Sequence, residues 1–396
     1  MEHISGGVCA AKGFQAGGIH CGIRKNRGKR DISMIVSEVP ASAAAVYTSN
    51  LVKGAPIYVT QRNLAGGIAQ LAVCNSGNAN TCNADGEEVA WQMCELAGKA
   101  AGIDPHHVIV ASTGVIGQPL SIEPIAQHMG ALYAAVKGNG SQEAAEGIMT
   151  TDTRLKEVAV SFVVDGKVCH LGGIAKGSGM IHPNLATMLV FLTCDAAISP
   201  AMLRKALSDN VKDTFNMVSV DGDTSTNDMV SIMANGLAGN TPIDSENVDY
   251  AVFCAALNEV TTALCRMIAK DGEGASRLLT CVVTGGKTVR DAKLAAKSVI
   301  CSSLLKAAIF GADANWGRVL CALGYSGAEI DVKKVDVAFR SAVGSIDVCK
   351  NGASIDFSEE KAKDVVVTLH DGDASATAWG CDLTYDYVKI NGDYRS

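Results

Sequence analysis

The stretch KGSGMIHPNLATMLVFLTCD, Lys176 to Asp195, decides how this chain is read. A glycine-rich loop runs into Ala186, Thr187 follows, and an unbroken apolar run comes next. A threonine hydroxyl is a poor nucleophile without a base beside it, and the nearest base for Thr187 is its own α-amino group. That group exists only if the chain is cut between Ala186 and Thr187. A free α-amine titrates near roughly 8, so a neutral amine able to accept the Oγ proton is present near physiological pH. The alternative reading is a buried strand that begins with a threonine.

Outward from this stretch, strand and helix patterns alternate. Asp85 to Ala101 carries Val89, Met93, Leu96, Ala97 and Ala100 on one helical face, and Ile125, Met129, Leu132, Tyr133 and Val136 repeat that spacing. Strands are expected at Leu71 to Cys74 and Val108 to Ala111. Glu157 to Val164 and Val168 to Gly172 flank Asp165-Gly166, a pair suited to the positive φ angles of a two-residue hairpin turn. Beyond Thr187, helices are predicted over Pro200 to Thr214, Val248 to Lys270 and Val289 to Leu305, with strands at Leu278 to Val283 and Val335 to Ala338. The pattern alone gives a mixed α/β class with antiparallel hairpins.

Composition narrows the function classes. Of 396 residues, 19% are charged against about 25% in an average soluble protein, and 48% are hydrophobic, which predicts that a partner chain covers part of the surface. The net charge of −7 is modest, and the only basic run, IRKNRGKR (Ile23 to Arg30), reads as a solvated loop, so no nucleic-acid partner is expected. The N-terminal MEHISGGVCAAKGFQAGG has no signal-peptide core, and no apolar run reaches the roughly 18 residues that span a bilayer. A cytoplasmic protein without a membrane partner is the expectation. The 14 cysteines contain no C-x-x-C pair and read as reduced, mostly buried thiols rather than zinc ligands.

The Lys176 stretch resembles the cleavage and nucleophile region of the ornithine acetyltransferases, the glutamate N-acetyltransferases of arginine biosynthesis. Further blocks similar to that family recur in order: CNSGNANTCNADG (Cys74 to Gly86), ASTGVIG (Ala111 to Gly117), IMTTDT (Ile148 to Thr153), NMVSVDGDTSTND (Asn216 to Asp228), GADANWGRV (Gly311 to Val319) and ATAWGCDLTYDYVKINGDYRS (Ala376 to Ser396). The resemblance implies a layered αββα sandwich of the ornithine acetyltransferase/aminopeptidase type. It implies self-cleavage between Ala186 and Thr187 into fragments 1–186 and 187–396, which assemble as an α2β2 heterotetramer and share one active site.

The same resemblance gives each candidate residue a role. Thr187 is the nucleophile, and Thr113 and Gly114 form the oxyanion hole, a hydroxyl and a backbone N–H aimed at the oxygen that becomes charged in acyl transfer. Thr150, Lys176, Thr187, Glu273, Asn391 and Ser396 bind substrate, Lys176 meeting a carboxylate and Glu273 an ammonium. Here Ser396 stands where the family has threonine, and Gly392 where alanine is usual. Read without the resemblance, Gly114 is a turn residue, Thr150 to Thr153 a helix stop, Lys176 an exposed loop lysine and Glu273 a solvated acid.

Three other chemistries are set aside. The Lys176 loop fails the P-loop spacing, because Lys176 precedes Gly177 and Ser178 follows it. Asp221, Asp223 and Ser225 begin like a calcium loop, but Thr226 stands where glycine is needed and Ile232 where a bidentate glutamate is needed; bracing of nearby backbone is expected instead. His182 has no base to supply if the Thr187 amine is the base. The implied reaction moves acetyl from N2-acetylornithine to glutamate by a ping-pong route, without metal or organic cofactor. Acetyl-CoA is a co-substrate for some family members. An aminopeptidase or amidase of the same fold is the alternative enzyme, and an uncleaved assembly protein the non-catalytic one.

Overall fold

In the computed structural model, residues 1–182, 188–342, 344–355 and 364–393 are described. Ala186, Thr187 and Ser396 lie outside the described residues. In chain order come β1 (Glu2–Ile4), β2 (Phe14–Ile19), β3 (Ile32–Tyr47), α1 (Ala55–Asn63), β4 (Ile68–Asn78), α2 (Gly86–Ala101), β5 (Val108–Val115), α3 (Glu123–Ala134), α4 (Ser141–Ile148), β6 (Lys156–Val164) and β7 (Lys167–Lys176). Then follow β8 (Leu189–Cys194), α5 (Pro200–Asn210), β9 (Met229–Ala234) and α6 (Val248–Lys270). These strands form one sheet in the order β1-β6-β7-β8-β9-β3-β4-β5, with β2 also paired to β3.

Strand parity turns this one sheet into two layers. In β8, Leu189 and Phe191 pack into one apolar cluster while Val190, Leu192 and Cys194 pack into another. In β5, Ile109 and Ala111 join the cluster of Leu189 and Phe191, whereas Val108 and Val110 face α2 and α3. Side chains alternate along a strand, so β8 and β5 present inner faces to the same core. The long β3 makes the corner: Ile32 to Val36 pairs with β4, Ser42 to Tyr47 pairs with β9, and the register shifts between Val36 and Ala41. Helices α5 and α6 cover the outer face of one layer, and α1, α2 and α3 cover that of the other. The architecture is the αββα sandwich.

A second sheet, β10 (Leu278–Gly286), β11 (Asp336–Ser341), β12 (Gly344–Lys350), β13 (Ala353–Ser354), β14 (Asp364–Thr368) and β15 (Ala374–Cys381), packs on α7 (Val289–Cys301) and on the far side of α6. The helices α8 (Ser303–Gly311), α9 (Trp316–Gly324) and α10 (Tyr385–Asp393) complete the chain. Helix α6 is long and apolar enough to cross a membrane, yet it lies between the two sheets with Phe253, Leu257, Val260 and Leu264 fully buried. Nine of the fourteen free thiols are buried, in keeping with their use as small apolar side chains.

Local chemistry explains most boundaries. Asn247 caps α6 by accepting from the Tyr250 N–H at 2.9 Å, and Ser199 caps α5 ahead of Pro200. Asp165 (φ 49°) and Gly166 (φ 69°) make the expected turn between β6 and β7. Two expectations are corrected. The helix predicted over Val289 to Leu305 is two helices bent by 58°, because Ser302 is extended and its hydroxyl caps the Leu305 N–H at 3.3 Å. The helix beginning at Pro200 ends at Asn210 rather than Thr214, whose hydroxyl bonds back to the Asn210 carbonyl at 2.9 Å.

Candidate active site

Strands β4 and β5 run parallel, and their C-terminal ends open at the rim of the sandwich. Thr113 and Gly114 lie there. Gly114 has φ 131°, and a Cβ on it would lie 2.4 Å from the Gly77 carbonyl carbon, so only glycine permits this approach of β5 to β4. Thr113 is 8% exposed, and its hydroxyl takes no partner among the described residues. The segment before β9 locks this turn. Asn227 donates to the Ala79 carbonyl at 2.5 Å and the Ser112 carbonyl at 3.0 Å, and its Oδ1 accepts from Thr81 at 2.6 Å and Thr226 at 2.5 Å.

Opposite stands Lys176. It is the last residue of β7 rather than an exposed loop lysine, 9% exposed and paired in register with Leu189 at the start of β8. Lys176 enters no ion pair among the described residues. Its ammonium acts electrostatically on two buried carboxyls, Asp152 and Asp228. Burial pushes Asp228 well above the ordinary carboxyl range, against the opposing pull of the Ser225 hydroxyl and Lys176, and Asp228 Oδ2 has no hydrogen-bond partner.

The turn after Lys176 is held from two sides. Met180 sits at φ 56°, in the left-handed region, and Asp221 accepts from the N–H groups of Met180 at 2.7 Å and Ile181 at 2.8 Å. Thr224 bonds the His182 carbonyl at 2.9 Å, so the acidic loop braces the segment leading to Ala186, as its composition suggests. His182 itself faces Ser219 at 3.0 Å and Cys301 at 3.6 Å. Burial and the Lys297 charge pull its pKa down to about 4, against the Asp221 charge, so it is neutral at pH 7.

Thr113, Gly114, Thr150, Lys176, Glu273 and Asn391 line one pocket of about 150 Å³. Thr150 follows α4, and its carbonyl accepts from Arg24 at 3.1 Å, so the IRKNRGKR loop is more than a solvated turn. Glu273 follows α6, and Asn391 on α10 donates to its Oε2 at 2.8 Å. Met188, the sequence neighbour of Thr187, packs beside Gly177, the residue after Lys176. Thr151, Gly179 and Asn227 also line it and were not singled out from sequence; the only sequence sign of Asn227 was its place in the dense polar block ending at Asp228.

Residues before and after the Ala186-Thr187 pair both contribute to this pocket, and β8 and β9, which follow the pair, lie between β7 and β3, which precede it. Among the described residues no cluster of His, Cys, Asp or Glu suits a metal ion.

Comparison with known proteins agrees with the sequence resemblance. The arginine biosynthesis bifunctional protein ArgJ 1 of Clostridium acetobutylicum is 50% identical over 392 residues, 97% of this chain and 96% of the relative. The arginine biosynthesis bifunctional protein ArgJ of Symbiobacterium thermophilum is 49% identical over 406 residues, covering 100% of both. Among solved structures, the ArgJ protein of Bacillus halodurans is 44% identical with a TM-score of 0.49, covering 52% of this chain and 98% of its own. An ornithine acetyltransferase from Mycobacterium tuberculosis, solved with ornithine, is 33% identical with a TM-score of 0.43, covering 47% of this chain and 99% of its own. Residues 15–396 match the ArgJ family as a whole, and with relatives this close along its full length the chain belongs to that family.

Proposed function

We propose that this enzyme of arginine biosynthesis moves acetyl from N2-acetylornithine to glutamate through an acetyl-Thr187 intermediate, after cutting itself between Ala186 and Thr187. The observation that carries the reading is convergence. Six candidate residues, spread from Thr113 to Asn391, line one small pocket.

Thr187 Oγ attacks the acetyl carbonyl carbon while its proton passes to the Thr187 α-amine. The Thr113 hydroxyl and Gly114 N–H stabilise the oxyanion. The amide C–N bond breaks, the leaving amine takes the proton from the Thr187 ammonium, and ornithine departs. The α-amine of glutamate then attacks the ester carbonyl, losing its proton to the Thr187 amine, which returns it to Oγ as N-acetylglutamate leaves. Both substrates are α-amino acids, so Thr150, Lys176, Glu273, Asn391 and Ser396 serve each in turn. No cofactor enters the route. The reading includes an α2β2 heterotetramer in the cytoplasm and weak use of acetyl-CoA as a second donor.

The test is direct. Intact-mass analysis of the purified protein should give Met1–Ala186 and Thr187–Ser396, and Thr187→Ala should leave one inactive chain. Ornithine release from N2-acetylornithine should yield stoichiometric N-acetylglutamate when glutamate is present. A fully active uncut chain would overturn the mechanism, and acetate as the product despite glutamate would make the protein an amidase.

A further inference from the structure

Behind the pocket lies a buried ionic cluster. Lys156, the first residue of β6, has a side chain with no exposed surface. Its ammonium donates to Asp152 Oδ1 at 2.7 Å, Asp271 Oδ2 at 2.5 Å and the Arg154 carbonyl at 3.3 Å, which uses all three of its protons. A cation so placed is expensive unless every donor is satisfied, and here each is.

Both carboxylates reach forward to the pocket. Asp152 Oδ2 accepts from the Thr150 N–H at 2.9 Å, and its Oδ1 also accepts from the Gly177 N–H at 2.7 Å, the amide next to Lys176. Asp271 accepts from the Thr153 N–H at 3.1 Å and the Arg154 N–H at 3.2 Å. The Asp271 carbonyl accepts from Ser178 Oγ at 2.6 Å, and the Ser178 carbonyl accepts from the Glu273 N–H at 2.9 Å. Thr150, Lys176 and Glu273 come from three separate segments, and each is reached from Lys156 through no more than three hydrogen bonds.

The charges also close. Asp152 and Asp271 carry two negative charges, Lys156 cancels one, and Lys176, at the pocket wall, supplies the second positive charge. Burial alone would raise the Asp152 carboxyl, but the Lys176 and Lys156 charges outweigh it and hold the group well below the usual range.

We infer that Lys156, Asp152 and Asp271 are positioning residues, a rigid ionic frame that sets the spacing of Thr150, Lys176 and Glu273 and so matches the site to the carboxylate and ammonium of an amino-acid substrate. This rests on the acetyl-transfer reading above. A frame that touches no reacting atom should act on substrate binding more than on the chemical step.

The experiment uses the self-cleaved enzyme, with active sites counted by the acetyl-enzyme formed on N2-acetylornithine. Asp152→Asn keeps the shape of the side chain but sets an amide against the Thr150 or Gly177 N–H. It should raise KM for N2-acetylornithine and for glutamate at least tenfold while kcat per active site falls less than threefold. Should Lys156→Met fold poorly, the double variant Lys156→Met with Asp271→Asn, which removes one charge of each sign, should fold better and still show the raised KM. Hydrogen exchange in Asp152→Asn should quicken at Thr150 and Gly177 and stay unchanged across Val248–Lys270. Unaltered KM in Asp152→Asn, with loss only in the number of active sites, would show a merely structural role and overturn the inference. Failure of the wild-type protein to transfer acetyl would instead remove the reading beneath it, and the inference would fall with it.

Discussion

Asn391 donates a hydrogen bond to Glu273 at 2.8 Å across 118 residues of sequence, tying the last helix to the loop after α6. Gly179 faces the same carboxyl. A Cβ at Gly179 would lie 2.4 Å from the Glu273 carboxyl carbon, closer than side chains tolerate. Gly179→Ala should therefore push Glu273 aside, raising KM for N2-acetylornithine roughly tenfold with a smaller change in kcat. Glu273→Gln should harm N2-acetylornithine more than acetyl-CoA, because only the former brings an amino-acid ammonium. Steady-state kinetics with both donors checks this, and equal losses would remove Glu273 from substrate recognition.

In the proposed mechanism, Thr113→Ala removes one of two donors aimed at the developing oxyanion. A loss of about a hundredfold or more in kcat is expected, with KM little changed. Single-turnover acetylation of Thr187 should slow by the same factor. If KM rises and kcat holds, Thr113 binds substrate in its ground state instead.

Asp228 has a raised folded-state pKa, caused first by burial. In the unfolded chain the carboxyl ionises near roughly 3.9, so above that pH the folded protein holds a proton that the unfolded chain has lost. The stabilisation is complete below the unfolded value and fades as pH rises toward the folded one. Thermal unfolding of the wild type should lose more stability between pH 4 and pH 8 than that of Asp228→Asn. Parallel curves for the two proteins would mean that Asp228 is ionised in the folded state.

His182 has the opposite sign. Its pKa is lowered to about 4, by burial first and the Lys297 charge second, with Asp221 opposing. The unfolded chain takes up a proton near roughly 6.5 that the folded chain refuses. Its contribution is present above that value and is lost as pH falls through about 4. His182→Gln should flatten the acid limb of the stability curve between pH 6.5 and 4, read by denaturant titration. A proton resonance of His182 titrating near 6.5 would contradict it.

Sequence alone determined what short-range chemistry controls. The helix starts at Pro200 and Val248 were legible because a cap, here Ser199 and Asn247, needs only the next three residues, and Asp165-Gly166 makes a turn because its φ angles are local. The Ala186-Thr187 pair can be singled out for the same reason, since in the proposed mechanism hydroxyl and amine belong to one residue, though both residues lie outside the described ones. The resemblance to the acetyltransferases assigned Thr113, Thr150, Lys176, Glu273 and Asn391, but nothing in their spacing brings them together. The tertiary structure decided that. The strand order puts β7 and β8 beside each other and the ends of β4 and β5 at the same rim, and α6 and α10 deliver Glu273 and Asn391 from far along the chain. It also turned Lys176 from a loop lysine into a buried cation and broke the helix at Ser302, where packing and a new cap prevail over an unbroken apolar period. The Lys156 frame was invisible beforehand, because an ion pair between Lys156 and Asp271 exists only once β6 and the end of α6 are packed together.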